Sequence, residues 1–458
     1  MVVRHRYLTG SENGFAGDHP TVCSLEVSLR GVLDVTRLVH AFASLRTRHP
    51  ALAACVHTSN DDKKSFVTPQ IAANTAEHVA VRTSSAVGPA PIPPTIDLSR
   101  SLSAIDVLTL DDTHTVTLHI AHVMADGAHA IALLTELFEL YTAAAIGSGG
   151  SPDLGVRPFP SSGAAVGRLH QGEGGEDPLG ATHLRVDDAL WYGRPPRGAA
   201  TGAPDWPMVQ SLRLDRTTSR RLLDALADAG VGVLAAISGA IVCAERCGFD
   251  ALGEDRPVSL GVMTMVDLRK RVTPQRAAVD VTNFAGPCYQ AVQVGRRSDP
   301  VLIGEGLVGA VRDDIASGRC LQGLVDAETG GGHRGLGHPP VVISNLGRIP
   351  DLVLPTTLTA TDVRPALWVD ANGFRGDDTD SDTRPAPIAT TYQISSYGGR
   401  IGIEMINLGS TVLPKVQQAV ADALTERLRA WALGHPVRTA ARSLAGARTR
   451  TQAEVTNV

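Results

Sequence analysis

Aromatic side chains are scarce in this chain of 458 residues, at 4%, and neither sign of charge dominates: 42 lysines and arginines stand against 47 aspartates and glutamates, a net −5. Without a basic excess there is no broad field for a phosphate backbone, so no nucleic-acid partner is expected. Long apolar runs are also missing. The longest, residues 231–244, is too short and too interrupted by glycine and serine to span a bilayer, and MVVRHRYLTGSENGF at the start holds no apolar stretch of signal-peptide length. No transmembrane segment and a cytoplasmic location are therefore the expectations. Six cysteines (Cys23, Cys55, Cys243, Cys247, Cys288 and Cys320) lack CxxC spacing and the density of a disulfide scaffold, and are expected as reduced, mostly buried thiols. Cys243 and Cys247, at i and i+4 in an apolar stretch, read as two small hydrophobes on one helix face rather than a metal site. No GxSxG occurs, which excludes a serine on a nucleophile elbow. What remains is an ordinary globular composition, 43% hydrophobic, long enough for two or three domains with substantial cores.

Periodicity divides the chain into strands and helices. Residues 21–29 alternate as a strand, and residues 35–56 place Leu38, Ala41, Phe42 and Leu45 at helical spacing up to a stop at His49-Pro50. Residues 113–121 (THTVTLHIA) alternate strictly, with Val116, Leu118 and Ile120 on one face, and residues 127–145 read as a long amphipathic helix through Ile131, Leu134, Phe138 and Tyr141. Between about 147 and 207 the chain turns rich in glycine, proline and serine with no sustained period, the mark of a crossover between domains. Beyond it come a strand over 208–214, helices over 217–229 and 233–247, a strand over 257–266 and a helix opened by Asp299-Pro300. The glycine-rich 329–340 and acidic 373–387 read as loops. The resulting division is an N-terminal subdomain over 1–175, a crossover linker over 176–207, a C-terminal subdomain over 208–435 and a polar tail over 436–458.

The strand ending at Ala121 meets the helix starting near Gly127 across His122, Val123, Met124, Ala125 and Asp126. A side chain at such a junction is held rigidly yet reaches a cleft. Histidine, with an ordinary pKa near 6.5, takes a proton from an alcohol or amine and returns it to a leaving group within one cycle. Asp126 also reads as a helix N-cap, although His129 stands where a capping box would place Glu or Gln. The run AHVMADG (121–127) followed by an amphipathic helix resembles the HHxxxDG motif of the condensation-domain and CoA-dependent acyltransferase superfamily. SLRTRHPALAA (44–54) is similar to that family's early helix and turn, VDLRKR (266–271) to its VdLR strand end, TNFAGPCYQAV (282–292) to the strand that follows, and VVISNLGRIP (341–350) to its SNlG segment. These matches fall in family order over roughly 30–410 and most resemble polyketide-associated acyltransferases of the phthiocerol dimycocerosyl transferase type. One position departs: Ala121 stands where the motif has its first histidine.

The resemblance implies an α/β fold of two chloramphenicol-acetyltransferase-like subdomains, each a mixed sheet with flanking helices, and an active-site tunnel at their interface. It implies an O-acyltransferase that moves an acyl group from a CoA or acyl-carrier-protein thioester to a hydroxyl of a polyketide-like or lipid acceptor, with no acyl-enzyme. His122 would be the catalytic base. Asp126, Gly127 and Arg269 would support the loop, the aspartate pairing with the arginine, and Ser344 and Asn345 are candidates for an oxyanion or channel-lining role. No metal and no permanently bound cofactor are expected, acyl-CoA or acyl-phosphopantetheine being a co-substrate, and the small-molecule alcohol meets what is expected to be a monomer. Two other readings stand beside this one. The chain could be a free-standing condensation enzyme forming amide or ester bonds between carrier-bound substrates, or, because of Ala121, a catalytically silent binding member.

Three further patterns are set aside on context. Gly304, Gly306 and Gly309 spell GxGxxG, but after Asp299-Pro300 they fall inside a helix instead of at the strand-to-helix turn that a dinucleotide fold requires. Asp378, Asp380 and Asp382 imitate a calcium loop without its glycine or its closing glutamate. His119, His122 and His129 are not brought together as zinc ligands by their spacing alone.

Overall fold

Cys23, Leu25, Val27 and Leu29 alternate into the core on one strand while Val116, Leu118 and Ile120 do so on another, and the two strands pair antiparallel, Val22 opposite Ala121. The computed structural model describes residues 2–17, 20–69, 78–83, 96–145, 155–162, 208–250, 256–329, 341–369, 390–407 and 414–438. The linker over 176–207, the acidic loop over 373–387 with Asp378, Asp380 and Asp382, most of the glycine-rich loop over 329–340 and the end of the polar tail lie outside the described residues.

In chain order the first half runs β1 (Val2–Tyr7), α1 (Gly10–Asn13), β2 (Val22–Gly31), α2 (Val35–Arg48), a 3-10 turn (Pro50–Ala53), β3 (Cys55–Thr58), β4 (Lys64–Pro69), β5 (Val79–Thr83), β6 (Ser103–Leu110), β7 (Thr113–Ala121) and α3 (Gly127–Ala145). The second half continues with β8 (Met208–Arg213), α4 (Arg216–Asp228), α5 (Val233–Asp250), β9 (Val258–Asp267), β10 (Ala285–Val294), α6 (Pro300–Ala316), α7 (Arg319–Thr329), β11 (Val341–Arg348), β12 (Leu358–Trp368), β13 (Thr390–Tyr397), β14 (Arg400–Asn407) and α8 (Pro414–Ala432). Helix ends follow local chemistry: Asp34 caps α2 through the Arg37 amide, Asp299 caps α6 through the Val301 amide with Pro300 at its first position, and α2 stops ahead of Pro50.

Two mixed sheets result, each covered by helices. The first has the order β12-β2-β7-β6-β5 and the second β10-β9-β11-β13-β14-β8, and among the described residues their parallel pairs are β5/β6, β9/β11 and β11/β13. A third, small antiparallel sheet, β1-β4-β3, has no counterpart in the sequence reading. The architecture is the two-sheet α/β arrangement expected. The sheets are not built from separate halves of the chain, however. β12 leaves the second half and pairs along ten residues of β2, so that Leu358, Val363, Ile349 and Tyr397 join the apolar core of the first sheet. Among the described residues no single helix is long and apolar enough to cross a membrane.

The cysteine expectation needs correction. Cys288 on β10 and Cys320 on α7 form a disulfide, while Cys23, Cys55, Cys243 and Cys247 are free. Thirty-two residues separate the bonded pair, a spacing that carries no motif, and only the docking of α7 on β10 brings them together. The GxGxxG run lies within α6. A Cβ on Gly304 would stand 1.7 Å from the Ala235 carbonyl of α5, and one on Gly239 would stand 1.7 Å from the Pro300 carbonyl, so these glycines let two helices touch backbone to backbone. Gly306 meets nothing within 4 Å. Gly239→Val should therefore cost about 3 kcal/mol of unfolding free energy in urea titrations, whereas Gly306→Ala should gain roughly 0.5–1 kcal/mol from helix propensity.

Candidate active site

His122 begins where β7 ends. Its amide donates to the Thr21 carbonyl (2.7 Å) and its carbonyl accepts from the Asn283 side-chain amide (2.8 Å), so the backbone is held from both halves of the chain. Ala121, one residue earlier, is fully buried in the first core and pairs with Val22, which places the departing motif position in packing rather than in the cleft. The imidazole lies flat against Phe15, ring centres 4.2 Å apart and planes 8° from parallel, and its Nδ1 is buried. Burial pushes its pKa below the ordinary histidine value; the backbone of His122 itself, the Asp126 charge, the Asn283 side chain and the Ala125 backbone each oppose the shift without cancelling it. A neutral imidazole at neutral pH is the form that accepts a proton.

Asp126 is nearly buried, yet ionised. One oxygen accepts from Arg269 Nη2 (2.9 Å) and from the His129 amide (3.1 Å), and the other accepts from the Phe284 amide (2.9 Å). Burial alone would raise its pKa, but the Arg269 charge and these donors overcome it and hold the carboxyl below the usual carboxylate range. The same carboxylate therefore caps the start of α3 and pairs across to the segment after β9. Arg269, itself 2% exposed, also binds Asp267 (3.1 Å), and burial, which would lower its pKa, is outweighed by these two carboxylates. Gly127 follows. A Cβ there would stand 2.5 Å from Leu346 Cδ2, so glycine lets the head of α3 abut the SNLG segment of β11 without displacing that side chain.

Ser344 and Asn345 are on β11. Ser344 is half-buried and pairs in register with Gln393 and Met265, while Asn345 is exposed and its Oδ1 accepts from the Gly347 amide (3.1 Å). It is Leu346, between them and Gly347, that touches the motif. The early HPAL turn is tied in from the other side, with His49 Nε2 and Arg48 Nε at 2.9 and 2.7 Å from Glu136 on α3. His119 is spent structurally on Ser24 (2.6 Å) and Asp106 (3.1 Å).

Four neighbours of the loop are invisible as site residues in the sequence: Phe15, Glu12, Thr282 and Asn283. Glu12, 1% exposed, accepts from both Arg6 guanidinium nitrogens (2.6 and 2.7 Å), from the Thr9 amide (3.0 Å) and from the Thr282 hydroxyl (2.6 Å). The TN of TNFAG marks Thr282 and Asn283 as a family likeness without revealing what they hold. Nothing around SENGF points to a cleft.

With this geometry in hand, comparisons with known proteins define a class. Over residues 203–406 the chain matches the family described as phthiocerol/phthiodiolone dimycocerosyl transferase C-terminus. Its fold is shared with polyketide synthase associated protein 5 from Mycobacterium tuberculosis (TM-score 0.72, 24% identity, 94% of this chain and 99% of that one) and with the first condensation domain of the CDA synthetase (TM-score 0.62, 15% identity, 95% and 98%). The trichothecene 15-O-acetyltransferase TRI3 from Fusarium sporotrichioides shares it as well (TM-score 0.62, 12% identity, 94% and 96%). The chain is an acyltransferase with the condensation-domain fold. In sequence it is similar to the phthiocerol/phthiodiolone dimycocerosyl transferases of Mycobacterium tuberculosis H37Rv (27% identity, 79% of this chain and 86% of the relative) and of Mycobacterium sp. JLS (27%, 92% and 97%).

The Asp126–Arg269 pair has a sign that can be tested. A carboxylate whose folded pKa is depressed contributes stability above the ordinary carboxylate range and loses it as pH falls through the folded value. Arg269→Met strands that charge, so at pH 7 it should cost about 3–5 kcal/mol. On acidification below about pH 4 the gap to wild type should narrow, as read by urea unfolding at each pH.

Proposed function

We propose that the chain transfers an acyl group from a CoA or acyl-carrier-protein thioester to a hydroxyl of a polyketide-like or lipid acceptor, with His122 as general base, acting in the cytoplasm as a monomer. The observation that carries this reading is the placement of His122: a neutral imidazole at the end of β7, beside a loop whose carboxylate is locked by the other half of the chain. The kinship with dimycocerosyl transferases supports a lipid or polyketide acceptor.

In the proposed reaction the imidazole removes the proton of the acceptor hydroxyl as its oxygen attacks the thioester carbonyl. A C–O bond forms, the tetrahedral centre collapses with cleavage of the C–S bond, and the imidazolium returns the proton to the departing thiolate. Asp126, already committed to Arg269 and two backbone amides, moves no proton and fixes the loop that aims His122. Ser344, half-buried where Asn345 is exposed, is the better candidate to line a tunnel between the two sheets. The burial of Ala121 weakens the motive for a silent member, since a histidine there would sit in the core.

The test is thiol release from a series of acyl-CoA and acyl-carrier donors with long-chain alcohols, and with amines as a second arm. Wild type should release thiol with alcohol acceptors, and His122→Ala should lower the rate by roughly 10²–10⁴-fold with an unchanged circular dichroism spectrum. Equal rates in both proteins across the panel would refute the acyl-transfer reading, and turnover with amines alone would point to amide-forming condensation instead.

A further inference from the structure

Phe15 has no part in the chemistry just described, yet it is the side chain that covers a face of the His122 ring. It follows α1, a four-residue helix closed by a reciprocal cap between Thr9 and Glu12. The Phe15 amide donates to the Glu12 carbonyl (3.0 Å), and the next carbonyl, that of Ala16, accepts from Lys64 on β4. Glu12 is in turn anchored to Arg6 on β1 and to Thr282, whose neighbour Asn283 holds the His122 carbonyl. The ring itself packs against the first apolar core. Phe15 and His122 are thus fixed to one another from three directions, and their near-parallel contact is a property of the folded scaffold.

We propose that Phe15 is a positioning residue for His122: held face-on by the Arg6–Glu12–Thr282 network, its ring restricts the imidazole to one rotamer and favours the imidazolium that forms during proton transfer. An aromatic face carries negative quadrupole density and attracts a cation placed over it within about 6 Å, a condition met by the 4.2 Å separation. Few other charges compete at the imidazole. On its own loop Asp126 is paired with Arg269; behind Phe15, Glu12 is paired with Arg6; on α3, burial holds the His129 pKa down to about 4, so that ring is neutral near pH 7; and from the segment before β10, Asn283 contributes an uncharged amide. The imidazolium in this site is opposed by burial, and Phe15 offsets part of that opposition while keeping the face free of water.

This inference rests on the proposed role of His122 for its kinetic consequence, but not for its titration. The experiment is a proton NMR titration of the full chain labelled at histidine Cε1, with the His122 resonance assigned by its loss in His122→Gln, run on wild type, Phe15→Leu and Phe15→Tyr. Leucine keeps the apolar cover and removes the quadrupole, so the His122 pKa should fall by about 0.5–1 unit; tyrosine keeps the ring and should restore the wild-type value. In the thiol-release assay the acid limb of the pH profile should move down by the same interval in Phe15→Leu. Its plateau kcat should fall roughly three- to tenfold with KM little changed, and Phe15→Tyr should recover it. A His122 pKa that is unchanged or raised in Phe15→Leu overturns the proposal, because the ring would then act as nothing more than a water-excluding wall. Transfer by wild type without any shift in titration would defeat this inference alone, and the shift without transfer would defeat the acyl-transfer reading alone.

Discussion

The ion pair between Asp126 and Arg269 is the constraint on which the site depends. Burying two charges is expensive, and their attraction offsets the desolvation only where geometry is good and the remaining lone pairs are satisfied. Here the carboxylate accepts from a guanidinium and from two backbone amides, and the guanidinium is shared with Asp267, so both carboxylate oxygens are engaged while Arg269 Nε stays buried without a partner among the described residues. Because those groups come from the loop after β7, the first turn of α3, the end of β9 and the segment before β10, one carboxylate sets four backbone segments against each other. The loop that carries His122 has no freedom left in which to drift from the strand that it terminates.

A second joint works on the far side of the two sheets. Arg213 on β8 binds the buried Glu404 of β14, approaches Asp362 of β12 (3.5 Å) and donates to the Val363 carbonyl (3.5 Å), while Arg364 of β12 reaches Glu26 on β2. β12 is therefore stitched to both sheets by charge as well as by its ladder with β2. The two sheets are interlocked by the crossing of one strand and by ion pairs along it, which fixes them against each other.

Much of this was legible in the sequence where a local rule applies. Strict alternation over 113–121 and helical spacing over 127–145 give β7 and α3 with the observed bounds, the proline at position 50 ends α2, and Asp299-Pro300 opens α6 and disposes of the GxGxxG pattern. What could not be read depends on tertiary contact. The crossing of β12 into the first sheet leaves no mark, because which strand it pairs with is settled by tertiary contact and not by its own pattern. The disulfide joins cysteines that only the docking of α7 brings together. At the site, Phe15, Glu12, Thr282 and Asn283 are ordinary residues until the fold gathers them, and a phenylalanine 107 residues before its histidine partner has no periodicity to announce it.

The electrostatics around His122 follow from this division of labour. A general base is most effective when its pKa lies near the working pH, and burial by itself would drive the imidazole too far toward neutrality to hold a proton even briefly. A free carboxylate beside it would err in the other direction, leaving the ring protonated and inert. Locking Asp126 onto Arg269 reduces its charge to a partial one at the imidazole, and the remaining correction comes from weak, fixed partners: nearby backbone, the Asn283 amide and the face of Phe15. Each is small and none titrates near neutrality, so the proton affinity of the ring is set by geometry that does not change with pH. Asp126 and Arg269 hold each other charged beside the ring, so neither changes protonation as the imidazole does.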